Sequence, residues 1–320
     1  MNTGVASAYR LMGRFSRACT LLAIALFAAF KVANFSLGIS TQLVIATIAL
    51  GIGIPHGAID HLVAMPSHPR RRFVAYIVGY VALAVVAVVL IARWQRVGFD
   101  LVVAMSALHF GFGDASYFQE GADFSGEVIG SRIDSLIYAL PAGLIPLILP
   151  LTNALTTPAL TRINSHLVNW AGGESITLRA ITFSIGGLGF AWLALRRRWA
   201  LAVDLLLLGV LALATPPLIT FAVYFGCWHA VRHTARLVPK LPRALKAASS
   251  GGSGQAIWAA VWPGLYALVG TLAVAVFLML TDRHGFASSM LWSALVIVWA
   301  LTVPHMLTTA RFDLRSLRLW

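Results

Sequence analysis

Apolar runs of about 17–25 residues recur along this chain, separated by short stretches that carry most of its charge. Each run is long enough for an α-helix, rising 1.5 Å per residue, to cross the roughly 30 Å hydrocarbon core of a bilayer. Taken in order, the runs predict about ten spans, at 16–36, 40–63, 73–92, 98–118, 132–151, 175–195, 199–214, 216–238, 257–281 and 286–310; counts of eight to ten suit the pattern. Pro216-Pro217 follows the short seventh run directly, so this pair marks either a tight turn or a break within one interrupted helix. The fold expected is all-α: a polytopic transmembrane helical bundle, with residues 1–320 forming a single integral membrane domain. The polar segment 152–174 reads as an outer loop. Residues 240–256, which begin KLPRALKAASSGGSGQ, read as a flexible cytoplasmic linker.

Composition agrees with the pattern. Hydrophobic residues make up 59% of the chain and charged residues 11%, against roughly 25% charged in soluble domains. The formal charge of +13 would suit a nucleic-acid partner if it lay in one stripe. It gathers at helix ends instead, which excludes that class and reports orientation. With the N-terminus in the cytoplasm, 17 of the 24 Lys and Arg residues flank cytoplasmic helix ends and six flank the other side. Arg232 alone falls inside a helix. Both termini are therefore expected in the cytoplasm. Arg10, Arg14 and Arg17 precede an apolar stretch with no small-residue cleavage site before Lys31, so that stretch reads as a retained first span. Cys19 and Cys227 both lie in apolar runs and support neither a disulfide framework nor a zinc site.

The nine histidines carry the candidate chemistry. His68, His166 and His284 fall in polar connections and read as solvated. His56, His61, His109, His229, His233 and His305 fall inside apolar spans, where an ionisable side chain is costly and faces a cavity or a partner. All six lie on even-numbered spans, which run toward the cytoplasm in this topology. Counting from the outer helix ends, His109, His229, His56 and His233 lie roughly 17–26 Å deep, in one slab. His61 and His305 come out nearer the cytoplasmic end and read as packing or hydrogen-bonding residues. His229 and His233 are four apart, on one helix face, as two bonds to one ion require. His56 and His61 are five apart, which is poorer for sharing an ion, although Pro55 distorts that helix. The metal constellation expected, and with it the catalytic set, is His56, His109, His229 and His233. Imidazole suits iron, copper, zinc and nickel, and no thiolate cluster accompanies these residues. Haem needs a ligand on each face, whereas His229 and His233 share one, so a mononuclear non-haem ion is favoured.

The neighbouring residues suggest supporting roles. Asp60, His61 and Asp114 are candidates to orient a ligating imidazole through its far nitrogen; for the two acids, a charge pair with an arginine such as Arg232 is the bland alternative. Phe110, Phe112, Tyr224, Phe225 and Trp228 are candidates to line an apolar tunnel, with interfacial anchoring as the competing role. Gly51, Gly53, Gly57, Gly111 and Gly113 read first as close-packing positions between helices.

Four short motifs stand in order along the chain: PHGAIDH at Pro55–His61, HFGFGD at His109–Asp114, YFGCWHAVRH at Tyr224–His233 and PHM at Pro304–Met306. Together they resemble the Brp/Blh family of membrane β-carotene 15,15′-dioxygenases, found in microbes with retinal-based rhodopsins. The resemblance covers roughly residues 40–310; Ala230 stands where the family commonly has serine. It implies an Fe(II)-dependent enzyme of a bacterial or archaeal inner membrane that cleaves the central double bond of β-carotene with O₂ to give two all-trans-retinal molecules. It places iron on His56, His109, His229 and His233, and suggests hand-over of the retinal product to a microbial rhodopsin. The reading from another class is a proton- or metal-coupled membrane transporter, or a rhodopsin-partner protein, using intramembrane His and Asp. A di-iron desaturase would need about eight histidines in clustered boxes, and no HxxHH is present.

Overall fold

The computed structural model describes residues 3–65, 69–127, 130–270, 273 and 288–319. These residues are helical throughout, with no β-strand among them. The helices are α1 (Thr3–Val32), α2 (Ile39–Gly57), α3 (Asp60–Ala64), α4 (Arg70–Arg93), α5 (Gln95–Ser125), α6 (Arg132–Leu151), α7 (Thr157–Ile163), α8 (Ser175–Leu195) and α9 (Trp199–Ala214). Then follow α10 (Pro217–Ala222), a π-helical segment (Val223–His229), α11 (Ala230–Leu237), α12 (Pro242–Ser249), α13 (Ser253–Val261) and α14 (Ser288–Ser316).

Among the described residues, seven helical stretches are long and apolar enough to cross a membrane: Thr3–Val32, Ile39–Ala64, Arg70–Arg93, Gln95–Ser125, Arg132–Leu151, Ser175–Leu195 and Leu295–Ser316. Large apolar side chains such as Leu22, Val78 and Leu188 are exposed on the outer faces, as lipid-facing positions require. The seventh predicted run forms the short helix α9. The eighth, 216–238, is interrupted, because Pro217 opens α10 after a break at Thr215-Pro216 and the π segment widens the helix before α11. The ninth, 257–281, runs into residues outside the described set, as do the start of the tenth and the positions of His68 and His284.

Local chemistry sets the element ends. Ser131 opens α6 with a reciprocal cap: its hydroxyl accepts from Asp134 N–H at 3.2 Å, and its own N–H donates to Asp134 Oδ2 at 2.8 Å. Gly126 closes α5 in the left-handed region, at φ 75°. α5 and α6 lie backbone to backbone: a Cβ on Gly111 would collide with the Ala139 carbonyl, and one on Gly143 with that of Ala107.

One expectation about connections needs correction. Residues 240–256 are not a free linker. Their Ala- and Leu-rich first half forms α12, with Ala244 and Ala248 buried against α1, where Gly4 leaves no room for a Cβ beneath the Ala248 carbonyl. An apolar stripe between basic residues explains this, since good helix formers take up a helix once one face can be buried. Segment 152–174 is a string of short helical turns that buries Ala159, Leu160, Leu167 and Trp170. It covers one end of the bundle core.

Candidate active site

Five helical stretches deliver five histidines to one place, and each does so at a local irregularity or a close contact. His56 sits one residue past Pro55, just before α2 stops at Gly57. The chain turns through Ala58 and Ile59 and restarts as α3, which carries Asp60 sideways onto α14. His109 lies on α5, flanked by the α5–α6 glycine contact. His229 ends the π-helical segment, whose wider turn adds a residue and re-aims the side chains that follow. The Phe225 and His229 rings consequently stack at 25°, with centroids 6.1 Å apart. His233 follows on α11, and His305 follows Pro304 on α14.

Four of these imidazoles form a closed ring. The centroid separations are 5.4 Å for His56–His229, 4.9 Å for His229–His109, 5.1 Å for His109–His305 and 5.4 Å for His305–His56. His233 faces all four, at 4.9 Å from His56, 5.6 Å from His305, 5.9 Å from His229 and 6.1 Å from His109. All five are buried. An imidazole nitrogen binds a first-row metal at roughly 2.0–2.1 Å, which sets the centroids of adjacent ligands about 4.5–5.5 Å apart. The ring of four falls in that range.

The hydrogen bonding is unusual for a buried site. Among the described residues, six buried side-chain N or O atoms lack a hydrogen-bond partner, and four are imidazole nitrogens: His56 Nδ1, His229 Nε2, His233 Nδ1 and His305 Nε2. Buried polar groups are otherwise almost always satisfied, so these nitrogens are held available. Two rings are tethered from behind: His109 Nδ1 lies 3.2 Å from Thr309 Oγ1, and His305 Nδ1 lies 2.9 and 3.0 Å from the two Asp60 oxygens. Among the described residues, no three His, Cys, Asp or Glu side chains already converge as a finished metal cage. The rings are gathered while their nitrogens are not. Histidine χ2 is a broad torsion, so these rings can turn their nitrogens, and a neutral nitrogen donor set of this kind suits iron, nickel, copper or zinc.

One side of the cluster opens on a cavity of about 490 Å³. His56, His109, His229 and His305 line it, and His233 stands behind them. The remaining wall is mostly apolar and includes Phe110, Phe225, Pro146, Pro150, Phe221 and Trp299. Of the aromatic tunnel candidates, only Phe110 and Phe225 reach this wall. Val102, Val103, Ser106, His109 and Phe110 form one helical stripe of α5, whereas Phe112 belongs to the next stripe with Ala104 and Leu108 and faces a second cavity of about 580 Å³ against α6 and α8. Tyr224 and Trp228 are fully buried and line neither cavity.

The candidates for orienting an imidazole separate in the same way. Asp60 bonds His305, not His56, and accepts from Tyr80 O–H at 3.2 Å. Asp114 contacts no imidazole. It accepts from Trp228 Nε1 at 2.7 Å and Tyr138 O–H at 3.0 Å, and pairs with Arg232 at 3.3 Å. His61 points its ring toward Phe73 at 6.1 Å and touches the cavity wall away from the cluster. Depth counted from the outer helix ends reads His305 as a packing residue, because such a count takes no account of how the helices are offset; α14, which runs on to Ser316, brings the His305 ring among the other four. Its signal was already present: a histidine inside an apolar run, in the PHM motif.

Behind the cluster, α11 is locked by charge. Arg232 donates to Asp204 at 2.8 Å and to Ser16 at 3.0 Å, and its guanidinium lies 3.7 Å from the centre of the Trp228 ring. Asp204 also pairs with Arg17 at 2.6 Å. Arg236 makes two 3.0 Å bonds to Glu120 and an ion contact of 2.7 Å with Asp313, off the hydrogen-bond direction. Arg232 and Arg236 share one face of α11, and His229 and His233 share the adjacent one. The paired guanidiniums therefore set the rotation that turns the histidines inward.

Comparison with known proteins adds an independent finding. A family model described as beta-carotene 15,15'-dioxygenase matches residues 47–313, a range that holds all five clustered histidines. A protein of uncultured marine bacterium 66A03 named Beta-carotene 15,15'-dioxygenase is 25% identical over 267 residues, covering 80% of this chain and 88% of its own length. No solved structure matches the chain.

Proposed function

Because the chain belongs to the β-carotene 15,15′-dioxygenase family, we propose that it cleaves the central double bond of β-carotene with O₂, giving two all-trans-retinal molecules. The ion proposed is a non-haem Fe(II) held by His56, His109, His229 and His233. One observation carries the reading: a buried group of imidazoles with unpartnered nitrogens stands on the wall of an apolar cavity.

The bound iron would supply the activation of dioxygen. The protein's own residues supply the rest. Neutral imidazoles are the ligands, with no carboxylate among them. Phe110 and Phe225 pack against His229, with centroids 4.4 and 6.1 Å away, and present apolar faces beside it. The lining from α2, α5, α6 and α14 offers a hydrocarbon wall along which an extended polyene can lie, placing one double bond beside the cluster. That wall also keeps water from reactive intermediates. Asp60 holds the proton on His305 Nδ1, and Thr309 approaches His109 Nδ1. A carotenoid partitions into lipid, so substrate enters from the bilayer of a bacterial or archaeal cell membrane, and the apolar aldehyde returns there, within reach of a microbial rhodopsin.

Expression in β-carotene-producing cells tests the reading. The expected outcome is loss of colour with accumulation of retinal. Unchanged colour, with the protein inserted and iron supplied, would overturn it.

A further inference from the structure

His305 is set apart from the other histidines by what stands behind it. Its Nδ1 lies within hydrogen-bond distance of both Asp60 oxygens. A carboxylate accepts, so Nδ1 carries the proton, and in the neutral ring Nε2 carries the free lone pair. That Nε2 is buried and has no hydrogen-bond partner. The ring bearing it faces His56, His109 and His233, at 5.4, 5.1 and 5.6 Å. Asp60 is itself held by the Tyr80 hydroxyl at 3.2 Å, which also reaches the Leu301 carbonyl at 3.4 Å, one turn before His305. The ring also lies against Gly57, where a Cβ would stand 3.4 Å from Nδ1. Carboxylate, protonated Nδ1 and bare Nε2 in line are the arrangement by which proteins orient a ligating imidazole and raise its basicity.

We infer that His305 also binds the metal, as a fifth imidazole of the site, with Asp60 as its positioning residue and Tyr80 holding Asp60. This rests on the reading that the imidazole cluster holds a metal. His305 then completes the ring on the cavity side, while His233 serves from behind. The break in α2 restarts the chain as α3, with Asp60 at its head, where it meets His305 on α14.

The test uses the full chain in lipid nanodiscs, depleted of metal and titrated with Fe(II) without oxygen. His305→Gly is expected to weaken Fe(II) binding by about 100-fold, and Asp60→Asn by about 10-fold, the range over which such orienting partners act. Because the ring borders the cavity, ¹⁵N-imidazole can enter the space left in His305→Gly. It is expected to restore Fe(II) affinity and to show a direct ¹⁵N coupling in pulsed electron paramagnetic resonance of the nitric oxide adduct, which a purely structural role would not give. Should the glycine variant fail to fold, His305→Gln keeps the bulk and is expected to lose the same affinity. Wild-type affinity in either folded variant, or restored affinity without ¹⁵N coupling, would overturn the inference alone. A wild-type chain that binds no Fe(II) would overturn it together with the metal reading above.

Discussion

α11 carries two arginines and, with the π turn before it, two histidines, and the two pairs are satisfied in opposite ways. Arg232 and Arg236 meet Asp114, Asp204, Glu120 and Asp313 at 2.7–3.3 Å. His229 and His233, on the adjacent face, each end in a buried nitrogen without a partner. The same helix thus presents a closed electrostatic account on one side and an open one on the other. A buried charge left unpaired in an apolar bundle is strongly destabilising, so the arginine face is built for structure. A neutral imidazole costs far less to bury, so the histidine face can wait for an ion.

The sharpest way to break this comparison is to remove one member from each side. His56→Ala is expected to reduce carotene cleavage to the level of cells lacking the protein, measured as retinal formed per folded molecule. Any fall in its thermal midpoint should be limited to the packing lost with one buried ring, with most of the protein still folded. A variant that loses folding and activity in step would erase the distinction. Arg232→Met is expected to act on the other quantity, costing about 3–5 kcal/mol by leaving Asp114 and Asp204 buried without their shared partner. The checks are membrane yield and thermal unfolding in detergent; a stable Arg232→Met protein would show the network to be dispensable. The smallest effect sharpens the boundary between the two cavities. Phe112→Ala is expected to leave retinal formation per folded molecule within about two-fold, since the ring faces away from the imidazoles, and to lower stability by about 1–3 kcal/mol through lost packing. A large fall in turnover would place the second cavity on the substrate's path.

Much of the bundle was legible in the chain. α6, α8 and α9 span the residues that the apolar runs marked, because a capping box opens α6, Arg196–Arg198 part α8 from α9, and Pro216-Pro217 stop α9. The histidines of the cluster stood out because ionisable residues are rare in apolar spans. What patterning missed depends on lateral placement. Depth counted from the outer helix ends separated His305 from the other histidines, yet the fold brings its ring within 5.1–5.6 Å of those of His109, His56 and His233. Phe112 and Phe110 look equivalent as aromatic neighbours of His109, and only helix rotation sends one to each cavity. Asp114 looked like a partner for His109, but the fold brings Trp228, Tyr138 and Arg232 to it first. The residues of α12 read as flexible because nothing local shows that α1 has a glycine groove to receive them.

By itself, the sequence determined that this chain forms an apolar helical bundle and that imidazoles are its intramembrane chemistry. Run length, hydropathy and the cost of burying an ionisable group act through single residues and their neighbours along the chain. Only the tertiary structure decided which imidazoles meet, which acid stands behind which ring and which aromatics face the cavity. Those outcomes depend on helix rotation, on the break in α2 after Gly57 and the π turn, and on contacts between residues as far apart as Asp60 and His305.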